Sequence, residues 1–379
     1  MKRAFIIFYT TLFSLFLIYG LFPVSSAEAK VSGLCANCHT MHNSQNGTSV
    51  LITGTGTGWN SSGVLSGGSL QSAPAETLLV TTCVGCHSST TSSTIINTGG
   101  SQIPIVYNTV VPTNPLAGGN FHWVATDDTR GHNVYGISGQ DSLTQAPGKT
   151  LGSCANSCHT SLAQAPGANN SNRGGCRGCH VFTSHHDDSR LWYRFLKGHN
   201  ATSAELPIPP SAADTSDYVV GDEDDDWEQE TAIDHNWYKG TTTAYSPGAG
   251  LQNHQTITAF CSGCHGIFHG PQTNGYGMGS GSPWVRHPTD IALPQGDGSE
   301  YAQYIPATNY STQAPVAWTD PTNTSNRGTP IVMCLSCHRT HGSDQPDMLR
   351  WNYSGMIAGT TGASAGTGCF TCHTTKDGS

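Results

Sequence analysis

A chain of 379 residues is long enough for two or three compact domains, yet only 36 % of it is hydrophobic and 11 % charged. With 45 Gly and 20 Pro as well, neither a large side-chain core nor a solvating charged surface is well supplied. A formal charge of -9 with only 16 Lys and Arg leaves no basic patch to neutralise phosphates, which argues against nucleic-acid binding.

Lys2 and Arg3 precede an apolar run from Ala4 to about Leu21, and Ser25, Ser26, Ala27, Glu28 and Ala29 then offer a small-residue cleavage site after Ala29. Residues 1–29 read as a secretory signal peptide. The run is near the length of an uncleaved membrane anchor, and the cleavage box decides for removal. No second apolar run follows, so residues 30–379 are expected to be exported without a membrane span.

The mature segment is punctuated by seven cysteine pairs, which account for all 14 cysteines. In chain order they are CANCH (Cys35, Cys38, His39), CVGCH (Cys83, Cys86, His87), CANSCH (Cys154, Cys158, His159), CRGCH (Cys176, Cys179, His180), CSGCH (Cys261, Cys264, His265), CLSCH (Cys334, Cys337, His338) and CFTCH (Cys369, Cys372, His373). Export would ordinarily suggest disulfides, but disulfides leave the histidine after every pair unexplained. A zinc site has no need of it either. C-x-x-C-H is the attachment pattern of c-type haem: two thiols bond the vinyl groups along one edge of the macrocycle, and the next histidine is placed under the iron. Seven covalently bound haems c are therefore expected. CANSCH has one extra residue between its cysteines, a loop that still bridges two vinyls.

Of 18 histidines, 7 belong to the motifs, which leaves 11 as sixth ligands. Only five methionines follow Met1, and Met41 and Met333 press against motifs, so His/His ligation with low potentials is expected. In CHTMH and CHRTH a second histidine, His42 or His341, stands three residues past the proximal one, on the same face of a helical turn. Axial ligands lie on opposite sides of the porphyrin, so each must serve a different haem and bring two haems into near contact. His269, four residues after His265, is of the same kind. For His122, His235 and His254 a ligand and a solvated loop residue remain equal readings.

Successive first cysteines lie 48, 71, 22, 85, 73 and 35 residues apart, with no period and no compositional break. Residues 30–379 are expected to be a single elongated heptahaem domain, mostly coil with short helices at the motifs and few small strands such as Ile103 to Tyr107, organised around a stacked haem chain. GTGTG at Gly54 to Gly58 lacks the strand and Lys of a phosphate loop and reads as a surface turn. GDEDDDWEQE, residues 221–230, carries the carboxylates of a calcium loop without its spacing and reads as a solvated acidic loop.

The chain resembles the OmcS-type extracellular filament-forming multihaem c-type cytochromes. The resemblance is carried by GLCANCHTMHNSQNG, RGHNVYG at Arg130 to Gly136, FCSGCHGIFH, WVRHP at Trp284 to Pro288, CLSCHRTHGSDQPDMLR and the final CFTCH. It implies bis-histidine haems in a continuous stack, little regular secondary structure and protomers joined end to end. It also implies that His42 ligates a haem of the neighbouring subunit, and that His132, His269, His287 and His341 are ligands. The best-known member has six haems; the additional one here is attributed to the CANSCH and CRGCH pair. CHVFTSHHDDSRLWYRFLKGHN matches loosely, so the choice between His185 and His186 stays open, with His185 taken provisionally. His199 is included because KGHN repeats the RGHN context of His132.

The leading expectation is a secreted electron conduit, not an enzyme, that self-associates into filaments and passes electrons to redox partners, minerals, electrodes or cells. Two propionates per haem add negative charge, so a soluble partner should present a positive face. The alternatives are a soluble periplasmic carrier, with His42 serving its own chain, and a multihaem reductase with one open iron. The C-x-x-C-K variant used by one nitrite reductase family is absent.

Overall fold

The computed structural model describes residues 31–49, 58–66, 74, 78–143, 146–148, 161–166, 174–180, 185–186, 192–197, 218–227, 231–243, 251, 254–269, 287–295, 298–359 and 366–376. The signal segment, the GTGTG run up to residue 57, the CANSCH motif and His199 lie outside them.

Helices are single turns, and five of them coincide with cysteine motifs: Cys35–Asn37, Cys83–Cys86, Gly175–Gly178, Cys334–Ser336 and Cys369–Cys372. Glycine and small polar residues around each motif cannot propagate a helix. Two motif turns are set at their start or by a neighbouring helix: Thr82 accepts from the Gly85 N–H at Cys83–Cys86, and Thr256 accepts from Ala259 at Ile257–Cys261, which runs into the fifth motif.

Strands are two to four residues long and form small separate sheets. The hairpin of Ile95–Thr98 with Ser101–Pro104 turns on Gly99 and Gly100, both at positive φ, in register Ile96↔Ile103. A four-stranded sheet runs Leu65–Ser66, Gly58–Trp59, Ser88–Ser89, Tyr107–Asn108, and a three-stranded one runs Ile291–Ala292, Pro330–Val332, Ala317–Trp318. The expected strand from Ile103 to Tyr107 is thus split. Pro104 has no N–H to continue the ladder, and the chain changes partner there, from the hairpin to Ser88–Ser89.

Buried apolar side chains gather in small groups. One holds Tyr193, Val219, Tyr238, Ile257, Ile331 and Met333; another Leu293, Tyr304, Tyr310, Val316 and Trp318; a third Trp59, Ile96, Ile103 and Ile105. The fold is mostly coil with few short helices and small strands, as its composition implies. Among the described residues no helix is long and apolar enough to cross a membrane.

Two positions test this packing. Gly119 sits at φ +84 and bridges Gly342, where a Cβ would meet the Gly342 carbonyl oxygen. Gly119→Ala is expected to destabilise the fold by about 1–3 kcal/mol, read as a lower thermal midpoint. In the acidic loop, burial and then neighbouring Asp226 push the Asp224 carboxyl up to about 6. The folded state therefore holds that proton more tightly than the unfolded one, and stability from this group grows as pH falls from about 6 towards its ordinary value near 4. Asp224→Asn should raise the melting temperature at pH 7, and the gain should vanish at pH 4.

Candidate haem-ligand array

Each described motif closes the same turn. The backbone N–H of the histidine donates to the carbonyl of the first cysteine: His39 to Cys35 at 2.9 Å, His87 to Cys83 at 2.8 Å, His180 to Cys176 at 2.9 Å, His265 to Cys261 at 3.0 Å, His338 to Cys334 at 3.1 Å and His373 to Cys369 at 3.0 Å. One helical turn thereby brings first cysteine and histidine to the same face. None of the described cysteines is in a disulfide.

The imidazoles meet in pairs. Ring centroids lie 6.0 Å apart for His39 and His186, 6.1 Å for His87 and His185, 6.2 Å for His180 and His341, 6.2 Å for His265 and His132, and 6.1 Å for His373 and His287. Direct stacking would be much tighter, as where His235 lies 3.7 Å from the Tyr310 ring. Two nitrogen–metal bonds of about 2 Å in line, plus the half-widths of two imidazoles, come to about 6 Å. The pairs therefore fit one iron each. The interplanar angles run from 13° for His87 and His185 to 87° for His373 and His287.

Orientation comes from the other ring nitrogen. Nδ1–H of His87 donates to Pro104 O at 2.8 Å, His180 to Arg194 O at 2.8 Å, His265 to Pro147 O at 2.7 Å, His338 to Asp347 O at 2.8 Å, His132 to Thr340 O at 2.8 Å and His287 to Pro288 O at 2.9 Å. That bond fixes the tautomer and leaves the Nε2 lone pair for a metal. Burial acts in the same sense. It lowers the pKa of His87, His180, His265 and His338, and together with neighbouring imidazoles it brings His185 to about 4 and His341 to about 3, so these rings are neutral at physiological pH.

The turns also approach one another. Cys83 and Cys176 share a hydrogen bond that lowers the first thiol and raises the second, and Cys261 is raised chiefly by the same kind of contact with Cys334. Burial pushes Cys86 and Cys337 up to about 12, with smaller contributions from Cys38 on the one and from Cys372 and Cys369 on the other. Cys179 adds to the rise at Cys261.

Of the histidines singled out from sequence, His42 is exposed at φ +52, beside Met41 and ahead of the hairpin of Ser44–Gln45 with Thr48–Ser49. Among the described residues neither it nor His338 faces a second imidazole at the paired spacing. His269 ends the turn Gly266–His269, and Cys154, Cys158, His159 and His199 lie outside the described residues. Sequence reasoning left His186 as an alternative to His185, whereas the structure gives both a proximal partner. His235 belongs to an aromatic group with Trp237 and Tyr310, and His122 is tied to Asn108 O at 2.9 Å.

A family model of the doubled CXXCH motif matches residues 330–378. The chain is 24 % identical over 382 residues to the C-type cytochrome OmcS of Geobacter sulfurreducens, covering 84 % of this chain and 78 % of the relative. Among solved structures it is similar to the outer membrane cytochrome S filament of Geobacter sulfurreducens, at 19 % identity over 89 % of this chain and 88 % of that one, TM-score 0.47. It is likewise similar to the OmcS nanowires of the same organism, at 19 % identity over 92 % and 93 %, TM-score 0.47. Its repeated motifs are of the kind that attach haem c covalently, and over most of its length the chain is similar to the C-type cytochrome OmcS.

Proposed function

We propose that residues 30–379 form one secreted unit that carries seven haems c and conducts electrons along filaments of its own copies, without catalysing a reaction. The observation that carries this reading is the set of five imidazole pairs at 6.0–6.2 Å. Each bound iron supplies a reversible one-electron couple. The chain's own task is to hold the irons in pairs of imidazoles, keep them close together and limit access of water.

On this reading His186, His185, His341, His132 and His287 are the distal ligands above His39, His87, His180, His265 and His373. His338 takes His42 of the next copy, which is supported by the exposure of His42 and of Leu34 and Met41 around it. His199 and His269 remain for the iron above His159. The approach of Cys83 to Cys176 and of Cys261 to Cys334 supports neighbouring haems at the second and fourth motifs and at the fifth and sixth. OmcS of Geobacter sulfurreducens forms nanowires, and the same end-to-end use is assigned to this chain.

The test is electron microscopy of the haem-stained fraction sheared from cells, with low-temperature electron paramagnetic resonance on the same material. Long uniform fibres with low-spin iron alone are expected, whereas discrete particles would overturn the filament and a high-spin component the full His/His ligation. His42→Ala should abolish fibres and convert one iron in seven to high spin. His185→Ala and His186→Ala should each convert one iron, the two being different, and the double variant should convert two. An unchanged spectrum in either single variant refutes that assignment.

A further inference from the structure

The seventh motif differs from its neighbours in what receives its imidazole proton. His87, His180, His265 and His338 donate Nδ1–H to backbone carbonyls, whereas His373 donates to a carboxylate, Glu300 Oε1, at 2.6 Å. The contact is built from both sides. Thr374, beside His373, donates its hydroxyl to the Glu300 carbonyl at 2.9 Å and accepts from Gln303 N at 3.4 Å. Lys376 Nζ stands 3.2 Å from the other carboxylate oxygen, Oε2. The Tyr301 ring packs 5.1 Å from that of His373.

A charged acceptor draws the Nδ1 proton towards itself and leaves more electron density on the imidazole than a carbonyl does. A more electron-rich axial ligand stabilises ferric over ferrous iron, and hydrogen bonding in the second shell is one of the recognised controls of haem potential. We infer that Glu300 is a positioning residue for the haem of the seventh motif. It fixes the His373 ring and, by its negative charge on Nδ1–H, holds the reduction potential of that iron below the value a carbonyl acceptor would give. Lys376, on the far oxygen, moderates the effect.

This inference rests on haem ligation by His373 and His287, which also supplies its readout. Their planes are 87° apart, against 13° to 52° for the other pairs. Perpendicular imidazoles give low-spin ferric iron a more anisotropic paramagnetic resonance than near-parallel ones, which sets this iron's signal apart from those of the other four described pairs in a redox titration of the intact protein. Glu300→Gln, which keeps an acceptor and removes the charge, is expected to move the midpoint of that signal to more positive potential and leave the other signals in place. Lys376→Met, at a side chain 55 % exposed, is expected to move it the opposite way. An unmoved midpoint in Glu300→Gln with the low-spin signal intact overturns the inference. If Glu300→Gln does not mature with its haems, a Lys376→Met midpoint that stays put or moves positive overturns it instead. Absence of low-spin iron from the unmodified protein would strike the haem reading rather than Glu300.

Discussion

Two nitrogen–metal bonds in line leave about 6 Å between the centres of two imidazoles, and that one distance relates most of the tertiary structure. It joins His180 to His341, His132 to His265 and His287 to His373, segments that share no sheet. The apolar clusters could not do this by themselves. They are small, and ordering each residue costs about 1–2 kcal/mol in backbone entropy. A chain with 36 % hydrophobic residues reaches a defined fold by wrapping its coil on groups it binds covalently, with small sheets and buried aromatics closing the gaps between them.

The turn at each motif and the acceptor at each ring are complementary halves of one device. The i→i−4 hydrogen bond from histidine to first cysteine sets where the imidazole starts, and the acceptor on Nδ1 sets where it points. Burial then keeps the ring neutral, the state in which Nε2 carries a lone pair. Because the acceptors at His87, His180, His265 and His338 are backbone carbonyls, side-chain changes nearby are tolerated without loss of orientation. The Glu300 carboxylate at His373 departs from this arrangement and introduces a charge where the others have a dipole.

The motifs, the coil-rich fold and the scarcity of long helices were legible in the sequence because each depends on local spacing or composition. The rule that axial ligands lie on opposite faces also carried information: it separates His341 from His338, three residues away, and the structure sets His341 against His180. Pairing as a whole was not legible, since it depends on how distant coil segments fold back. His185 and His186 show why. They read as alternatives because their segment matches the family loosely, but adjacent residues in an extended or turning chain point to different sides, and here they meet the rings of His87 and His39. The split of the expected strand from Ile103 to Tyr107 has a similar origin: its composition suits a strand, and only the change of partner at Pro104 divides it.

Adjacency of ligands is also what brings redox centres close. Consecutive Cα atoms are about 3.8 Å apart whatever the chain does around them, so on the proposed ligation two irons served by His185 and His186 cannot drift from one another without losing a ligand. The same logic operates through Thr340, whose carbonyl receives Nδ1–H of His132 while the next residue, His341, faces His180. That short segment ties the site above His265 to the site above His180, and it begins two residues beyond His338. On the proposed ligation three sites are thereby gathered by four consecutive residues, His338 to His341. A loose, glycine-rich chain can hold a dense series of metal centres because covalent neighbours, rather than a rigid core, fix the separations that matter.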